Sequence, residues 1–391
     1  MFRLCLVLTI LCGTCLGDAG ELTGDWTGRL TCPGGDIEFG VVFEATDAFL
    51  VNGPERIQVA EFQFDGQELV LGFPHYDSVI RATLTDGKFH GSWAKTRGEG
   101  QRPELPFTLT AGAPPQAKAL GPFEGRWRVR FSSDDQDAVG IITETKGVPW
   151  ATFLTATGDY RFLSARVTGD TLWLSVFDGA HAFLFRAKQE DGRLNGDFWS
   201  GDHWHETWQA TRDDEATIAD GWGTAESVPV ANFDQLRFRN LQGERTPLDR
   251  ADLQGKVIVF ELFGSWCPNC HDAAEWLAEL DAEYADDELS IVGLAFELTG
   301  DVDRDVSQVN RYIERFEVKY PVYIAGLADK KVASAQFPLL DRVRAYPTTM
   351  FMDASGKILA VYHGFSGPAT GEAYEELKAK FRETINQALQ S

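Results

Sequence analysis

The chain has 391 residues, 43% of them hydrophobic, and a formal net charge of −23. This length exceeds one ordinary domain, and the apolar fraction is sufficient for packed cores. The acid excess excludes nucleic acid and anionic membrane surfaces as partners and reads first as a solubility device.

Residues 1–17 read as a signal peptide. Arg3 supplies the positive start, residues 4–16 are apolar, and Cys15-Leu16-Gly17 offers small residues for cleavage. The apolar run is too short to span a bilayer, and no later stretch reads as a transmembrane segment. A lipoprotein anchor would need a small-residue box before its cysteine. Thr9-Ile10-Leu11 before Cys12 and Cys12-Gly13-Thr14 before Cys15 do not provide one. Cleavage leaves Cys32, Cys267 and Cys270, too few for a disulfide framework. In an oxidising compartment the close pair reads as catalytic. Cys32 reads as a partly buried bystander, with intermolecular pairing as its functional alternative.

The first half contains a repeat. Leu22-Thr23-Gly24-Asp25-Trp26 returns as Phe123-Glu124-Gly125-Arg126-Trp127. Residues 86–93, DGKFHGSW, return as 191–198, DGRLNGDF, and 107–111, FTLTA, resemble 206–210, ETWQA. An offset of about a hundred residues throughout implies two copies of one domain, at 20–112 and 121–212, with Ala113-Pro114-Pro115 at the boundary. In the second copy, segments 126–131, 138–145, 150–157, 160–167, 172–177, 182–187, 194–199 and 205–210 read as strands separated by tight turns. Each copy is therefore expected to be an antiparallel β-meander. Closure into a small barrel would remove the exposed edges, and a sandwich is the other packing. His203 and His205 share a strand face but have no third ligand at a telling spacing, so no metal site is expected. The tryptophans at 26, 93, 127, 173, 199, 204 and 208 read as core or as the lining of a pocket. With no reactive constellation in sight, this half is expected to alter client choice rather than chemistry.

Residues 213–229 are acidic and Gly-containing and read as a linker. From 230 to 391 strands and helices alternate. A short hairpin at 233–241 and 246–248 comes first, then a buried strand at 257–263, a helix and another buried strand at 291–296. Val306, Val309, Ile313 and Phe316 mark one helix face. Residues 321–324 read as a strand, 330–336 as a helix, 348–352 and 358–363 as a hairpin, and 372–389 as a terminal helix. This alternation suits a mixed sheet covered by helices.

The chemistry centres on Glu261-Leu262-Phe263-Gly264-Ser265-Trp266-Cys267-Pro268-Asn269-Cys270-His271. The stretch reads as the end of a strand, a turn and the start of a helix. Two thiols three residues apart can close a disulfide, and a helix N-terminus favours thiolate over thiol. Cys267, nearer the helix start, is expected to be the nucleophile. Cys270, one turn inside, is expected to resolve the mixed disulfide.

The W-C-x-x-C motif after a hydrophobic strand, together with Tyr346-Pro347-Thr348-Thr349 before Met350-Phe351-Met352-Asp353, resembles the thioredoxin superfamily. With export, the nearest resemblance is to the TlpA-like branch of extracytoplasmic thiol–disulfide oxidoreductases, which implies a bacterial periplasm. It covers residues 228–391 only, and 302–324 match that branch's additional αβ unit. The resemblance implies a thioredoxin fold, a cis Pro347 with Tyr346 presenting backbone to a client, and Glu261 as a buried proton acceptor for the resolving thiol. Trp266, Pro268, Asn269, His271, Tyr346 and Thr348 are implied to support the site. It further implies that the redox-active disulfide is the only cofactor and that the partners are disulfide or dithiol proteins and an upstream redox protein. Asn269 departs from the Cys-Gly-Pro-Cys pair of thioredoxin, which leaves reductase, oxidase and isomerase open. Two other classes stay open. Cys267-Pro268-Asn269-Cys270-His271 also satisfies the haem c attachment pattern, with Met350 or Met352 as a second axial ligand. The other is a partner-binding protein with a vestigial redox fold.

Overall fold

The structure, a computed structural model, describes residues 22–97, 101–115, 119–219, 221–223, 236–248, 253, 256–285 and 288–390. The expected signal peptide, 224–229 of the expected linker and 233–235 of the expected hairpin lie outside the described residues. The described chain forms two antiparallel β units and an α/β unit.

The first unit is a nine-stranded sheet running from Gly24–Cys32 to Glu104–Ala111. Gly24–Cys32 pairs with both Gly35–Glu44 and Glu104–Ala111, so the meander wraps back on its own start. Glu55–Gln58 and Glu61–Phe64 are its two unjoined edges, which makes it a half-barrel. The second unit closes. Gly125–Phe131 pairs with both Ala138–Thr145 and Trp204–Arg212, and pairing continues round the ring through Val148–Thr155. The expectation of two matching closed barrels thus meets one barrel and one opened sheet.

Side-chain alternation explains the difference. Successive strand residues point to opposite faces. In Thr171–Phe177, Leu172, Leu174 and Val176 fill the barrel interior with Phe185, Phe198 and Trp208. Trp173 and Phe177, with Leu184 and Trp199 from neighbouring strands, point outward into the core of the first sheet. The half-barrel buries its apolar face on the outside of the barrel instead of on itself. Buried Asn52 fixes the register of this contact. Its Nδ2 donates to the Phe177 carbonyl at 2.9 Å, and its Oδ1 accepts from the Phe177 N–H at 3.2 Å.

The third unit has a mixed sheet at its centre. Val257–Phe263 runs parallel to Leu289–Glu297 and antiparallel to Thr348–Met352. Leu289–Glu297 continues parallel to Val322–Leu327, and Thr348–Met352 forms a hairpin with Ile358–His363. Trp222-Gly223, within the stretch read as linker, adds a short edge strand beside Ile358–His363. The helices are α1 (Pro268–Glu283), α2 (Val302–Arg315), α3 (Lys330–Gln336) and α4 (Glu372–Leu389). Asp301 caps α2 by accepting from the Arg304 N–H at 3.1 Å. Among the described residues, no helix is long and apolar enough to cross a membrane.

All three units meet at Arg161. Its guanidinium reaches Glu55 of the half-barrel at 2.9 Å, Asp178 of the barrel at 3.6 Å and Asp272 of α1 at 2.8 Å. Two close approaches flank this point. A Cβ on Gly364 would run into the Thr157 backbone, and one on Gly158 into the Asn269 side chain. Both glycines have positive φ, 87° and 141°. Arg161→Ala would leave Glu55, Asp178 and Asp272 without their shared cation. The expected loss is about 3–5 kcal/mol, read from urea unfolding of the full chain. An unmoved midpoint would show that this contact contributes nothing to stability.

Candidate active site

The sequence places Cys267 at the N-cap of α1, and Pro268 occupies the first helical position, where its missing N–H costs nothing. The N–H groups of Cys270 and His271 turn back to the Cys267 carbonyl at 3.0 and 3.2 Å. Cys267, Cys270 and Cys32 carry free thiols. Cys267 is 7% exposed and lines a cavity, whereas Cys270 is fully buried. The Cys267 thiol donates to the Tyr346 carbonyl at 3.6 Å, and the Tyr346–Pro347 peptide is cis. Two chain segments 79 residues apart therefore meet at Cys267.

Beneath the pair, burial pushes the Cys270 thiol far up, with its hydrogen bond to Cys267 acting in the same direction. Glu261 lies on the central strand with no exposure. Its Oε2 accepts from Thr349 Oγ1 at 2.8 Å, and its Oε1 has no hydrogen-bond partner among the described residues. Desolvation pushes this carboxyl up to about 8. It stands close enough that its charge acts on Cys270. A carboxyl in that range can take a proton from a buried thiol and return it.

The other expected residues also gather here. Trp266 Nε1 donates to the Phe296 carbonyl at 2.9 Å, and its ring meets Tyr346 edge-on at 5.9 Å. Thr348 Oγ1 donates to the Ala345 carbonyl at 2.8 Å and sits 3.1 Å from His363 Nδ1. Asn269 Nδ2 reaches the Asp159 carbonyl of the barrel at 3.4 Å. His271 is buried, its Nε2–H donating to the Ser265 carbonyl at 2.7 Å. Its ring stacks on Tyr76 of the half-barrel at 4.6 Å and 12°. Burial holds its pKa far below the ordinary value, so it stays neutral.

This packing does not fit a haem. His271 is enclosed by Tyr76, Tyr312 and Phe316, and its Nε2 is already engaged. Met350 and Met352 are fully buried in the sheet. His203 and His205 face Asp202 and Asp197 at 3.9 and 3.0 Å.

Four contributions were not legible in the motifs. Glu297, fully buried, accepts from the Ser265 N–H at 2.9 Å and its hydroxyl at 2.7 Å, fixing the turn before Trp266. Desolvation pushes Glu297 up to about 7. Tyr312 of α2 donates to the Cys270 carbonyl at 3.0 Å. Arg161 binds Asp272 two residues beyond Cys270. Lys95 of the half-barrel lines the cavity in front of Cys267. An acid ending a buried strand was the available signal for Glu297; the other three lie on elements distant in sequence.

Residues 225–377 match the family model described as Redoxin. The C-terminal region is a redoxin domain. Among curated proteins, it is 28% identical over 127 residues to the thioredoxin-like protein YneN of Bacillus subtilis, covering 32% of this chain and 66% of that one. It is 25% identical over 164 residues to the thiol-disulfide oxidoreductase ResA of Bacillus thuringiensis, covering 42% of this chain and 86% of that one. Among solved structures, a thiol:disulfide interchange protein from Chlorobium tepidum aligns at 22% identity and a TM-score of 0.30. That alignment covers 39% of this chain and 92% of the other. A secreted disulfide oxidoreductase from Mycobacterium tuberculosis aligns at 23% identity and a TM-score of 0.29, covering 38% and 99%.

The redoxin domain's Glu261 gives a pH dependence. Its carboxyl moves from an ordinary 4.5 to about 8 on folding. Between those values the native state binds more protons than the unfolded state, so stability falls as pH rises through that window. Glu261→Gln removes this contribution. The variant is expected to lose less stability than the parent between about pH 5 and about 8, and to resolve mixed disulfides roughly 10²-fold more slowly. Urea midpoints at the two pH values and a stopped-flow resolution rate check both; parallel midpoint losses would remove Glu261 as the source.

Proposed function

We propose that the chain is an exported thiol–disulfide oxidoreductase that reduces disulfides of protein clients. The observation that carries this is the asymmetry of the pair. Cys267 faces a cavity at a helix N-terminus, while Cys270 is sealed behind it near an unpartnered carboxyl oxygen. The Cys267 thiolate attacks one client sulfur, forms a mixed disulfide and expels the other sulfur as thiolate. Cys270 gives its proton to Glu261 and attacks Cys267, closing the Cys267–Cys270 disulfide and releasing the second client sulfur. The client gains two electrons and two protons in all, and the protein dithiol loses them. An upstream dithiol protein restores the pair, and no separate cofactor is needed. Export rests on the leader pattern of residues 1–17. The reductive direction rests on the resemblance to the TlpA-like branch. We take the two β units as diverged copies of one domain, since in each the first strand pairs with the last.

Cys267→Ser is expected to abolish exchange. Cys270→Ser should still attack but stall, leaving clients covalently attached and identifiable by mass spectrometry. Trapping by Cys267→Ser instead would reverse the roles. Titrating the pair against dithiothreitol settles direction: a potential near about −270 mV marks a reductant and one near about −120 mV an oxidant.

A further inference from the structure

The wall opposite Cys267 belongs to the β units, not to the redoxin domain. Trp93, Lys95 and Arg97 of the half-barrel and Thr155, His181 and His203 of the barrel face it across a cavity of about 490 Å³. That is the size of a small-ligand site.

Among the described residues, the acids around this cavity are each hydrogen-bonded or ion-paired within the protein, and Lys95 is a cation with no acid beside it. Asp178 accepts from His181 and lies within ion-pair distance of Arg161. Asp202 pairs with Arg97 at 3.2 Å and His203 at 3.9 Å. Asp159 accepts the backbone N–H groups of Arg161 and Gly367, both at 2.6 Å. Lys95 donates to the neutral Ala180 carbonyl at 2.9 Å. Among the described residues no carboxylate pairs with it, and an ammonium has three donors to give. Burial pushes its pKa down to about 8, with Asp178 and the Cys267 thiolate acting the other way. A second anion near Lys95 would thus be favoured twice, by charge and by hydrogen bonding.

We propose that this cavity selects disulfides bearing a carboxylate a few atoms from sulfur, held by Lys95 while Cys267 attacks. The inference rests on the exchange reaction above. The carboxylate has two sources, a small free disulfide or an acidic residue flanking a client cysteine. The chain's net charge of −23 opposes such a substrate at long range. At about 0.15 M salt, charges beyond roughly 8 Å are screened, which leaves the local preference exposed.

The test is single-turnover exchange by the pre-reduced full chain at that ionic strength. The substrates are dithiodipropionate, hydroxyethyl disulfide and cystamine, which are dianionic, neutral and dicationic. Each rate is divided by that of the same disulfide with free mercaptoethanol. The dianion is expected to exceed the dication by about tenfold or more. Lys95→Met should bring that ratio close to one, and Lys95→Arg should keep it. No preference in the parent protein, or one untouched by Lys95→Met, overturns the proposal. Failure to exchange with any of the three sinks the oxidoreductase reading itself. Peptide disulfides flanked by aspartate or by lysine separate the sources. A preference confined to peptides assigns the cavity to a client segment, and one confined to the small disulfides assigns it to a free thiol compound.

Discussion

The structure depends on one guanidinium shared by three folding units. Arg161 is held at a positive φ of 59° and reaches carboxylates on the half-barrel, the barrel and the cysteine helix. Its planar fork meets several acids at once, which a lysine could not do with the same geometry. A buried ion network of this kind yields little net stability after desolvation, and its use is to specify one arrangement among several. Here that arrangement ties α1, which begins at the two thiols, to the half-barrel and the barrel. A second tie runs from Arg304 of α2 to Asp77 at 2.9 Å, beside the Tyr76 ring that covers His271.

Burial then divides the labour between two chemically identical side chains. Low dielectric around Cys270 and Glu261 disfavours charge on both, so each proton lost by one has reason to move to the other. Cys267 differs in position: it stands at the N-cap of α1 and lines the cavity. The enclosure is shared: Tyr312 closes one side from α2, and the β units close another.

The α/β unit was legible because its signals are local. Val257–Phe263 is an unbroken apolar run apart from Glu261, and the helix after Cys267 announces itself by its spacing. The strands of the barrel were legible from their turns, to within a residue or two at most ends. The closure of the sheets was not. Trp173, Leu184 and Trp199 look like ordinary half-buried positions, and nothing local reveals that a second sheet covers them. The site divides in the same way. Cys267, Cys270 and Tyr346 carry motif signals, but Lys95, Arg161 and Tyr76 reach the site only through the docking of separate units. The expectation that the front half alters client choice rather than chemistry named no residues, and the structure places residues of both β units in the cavity wall.

The paired glycines at that junction bear on how such a chain can arise. Gly364 of the redoxin domain has no room for a Cβ against Thr157 of the barrel, and Gly158 of the barrel has none against Asn269. The redoxin side of the contact is therefore fitted to the barrel's backbone, and the barrel side to the Asn269 side chain. A redoxin domain taken from elsewhere, with any side chain at position 364, would not seat on this barrel. The front half is not an interchangeable cassette: this barrel accepts a redoxin domain only where the chain at position 364 carries no side chain.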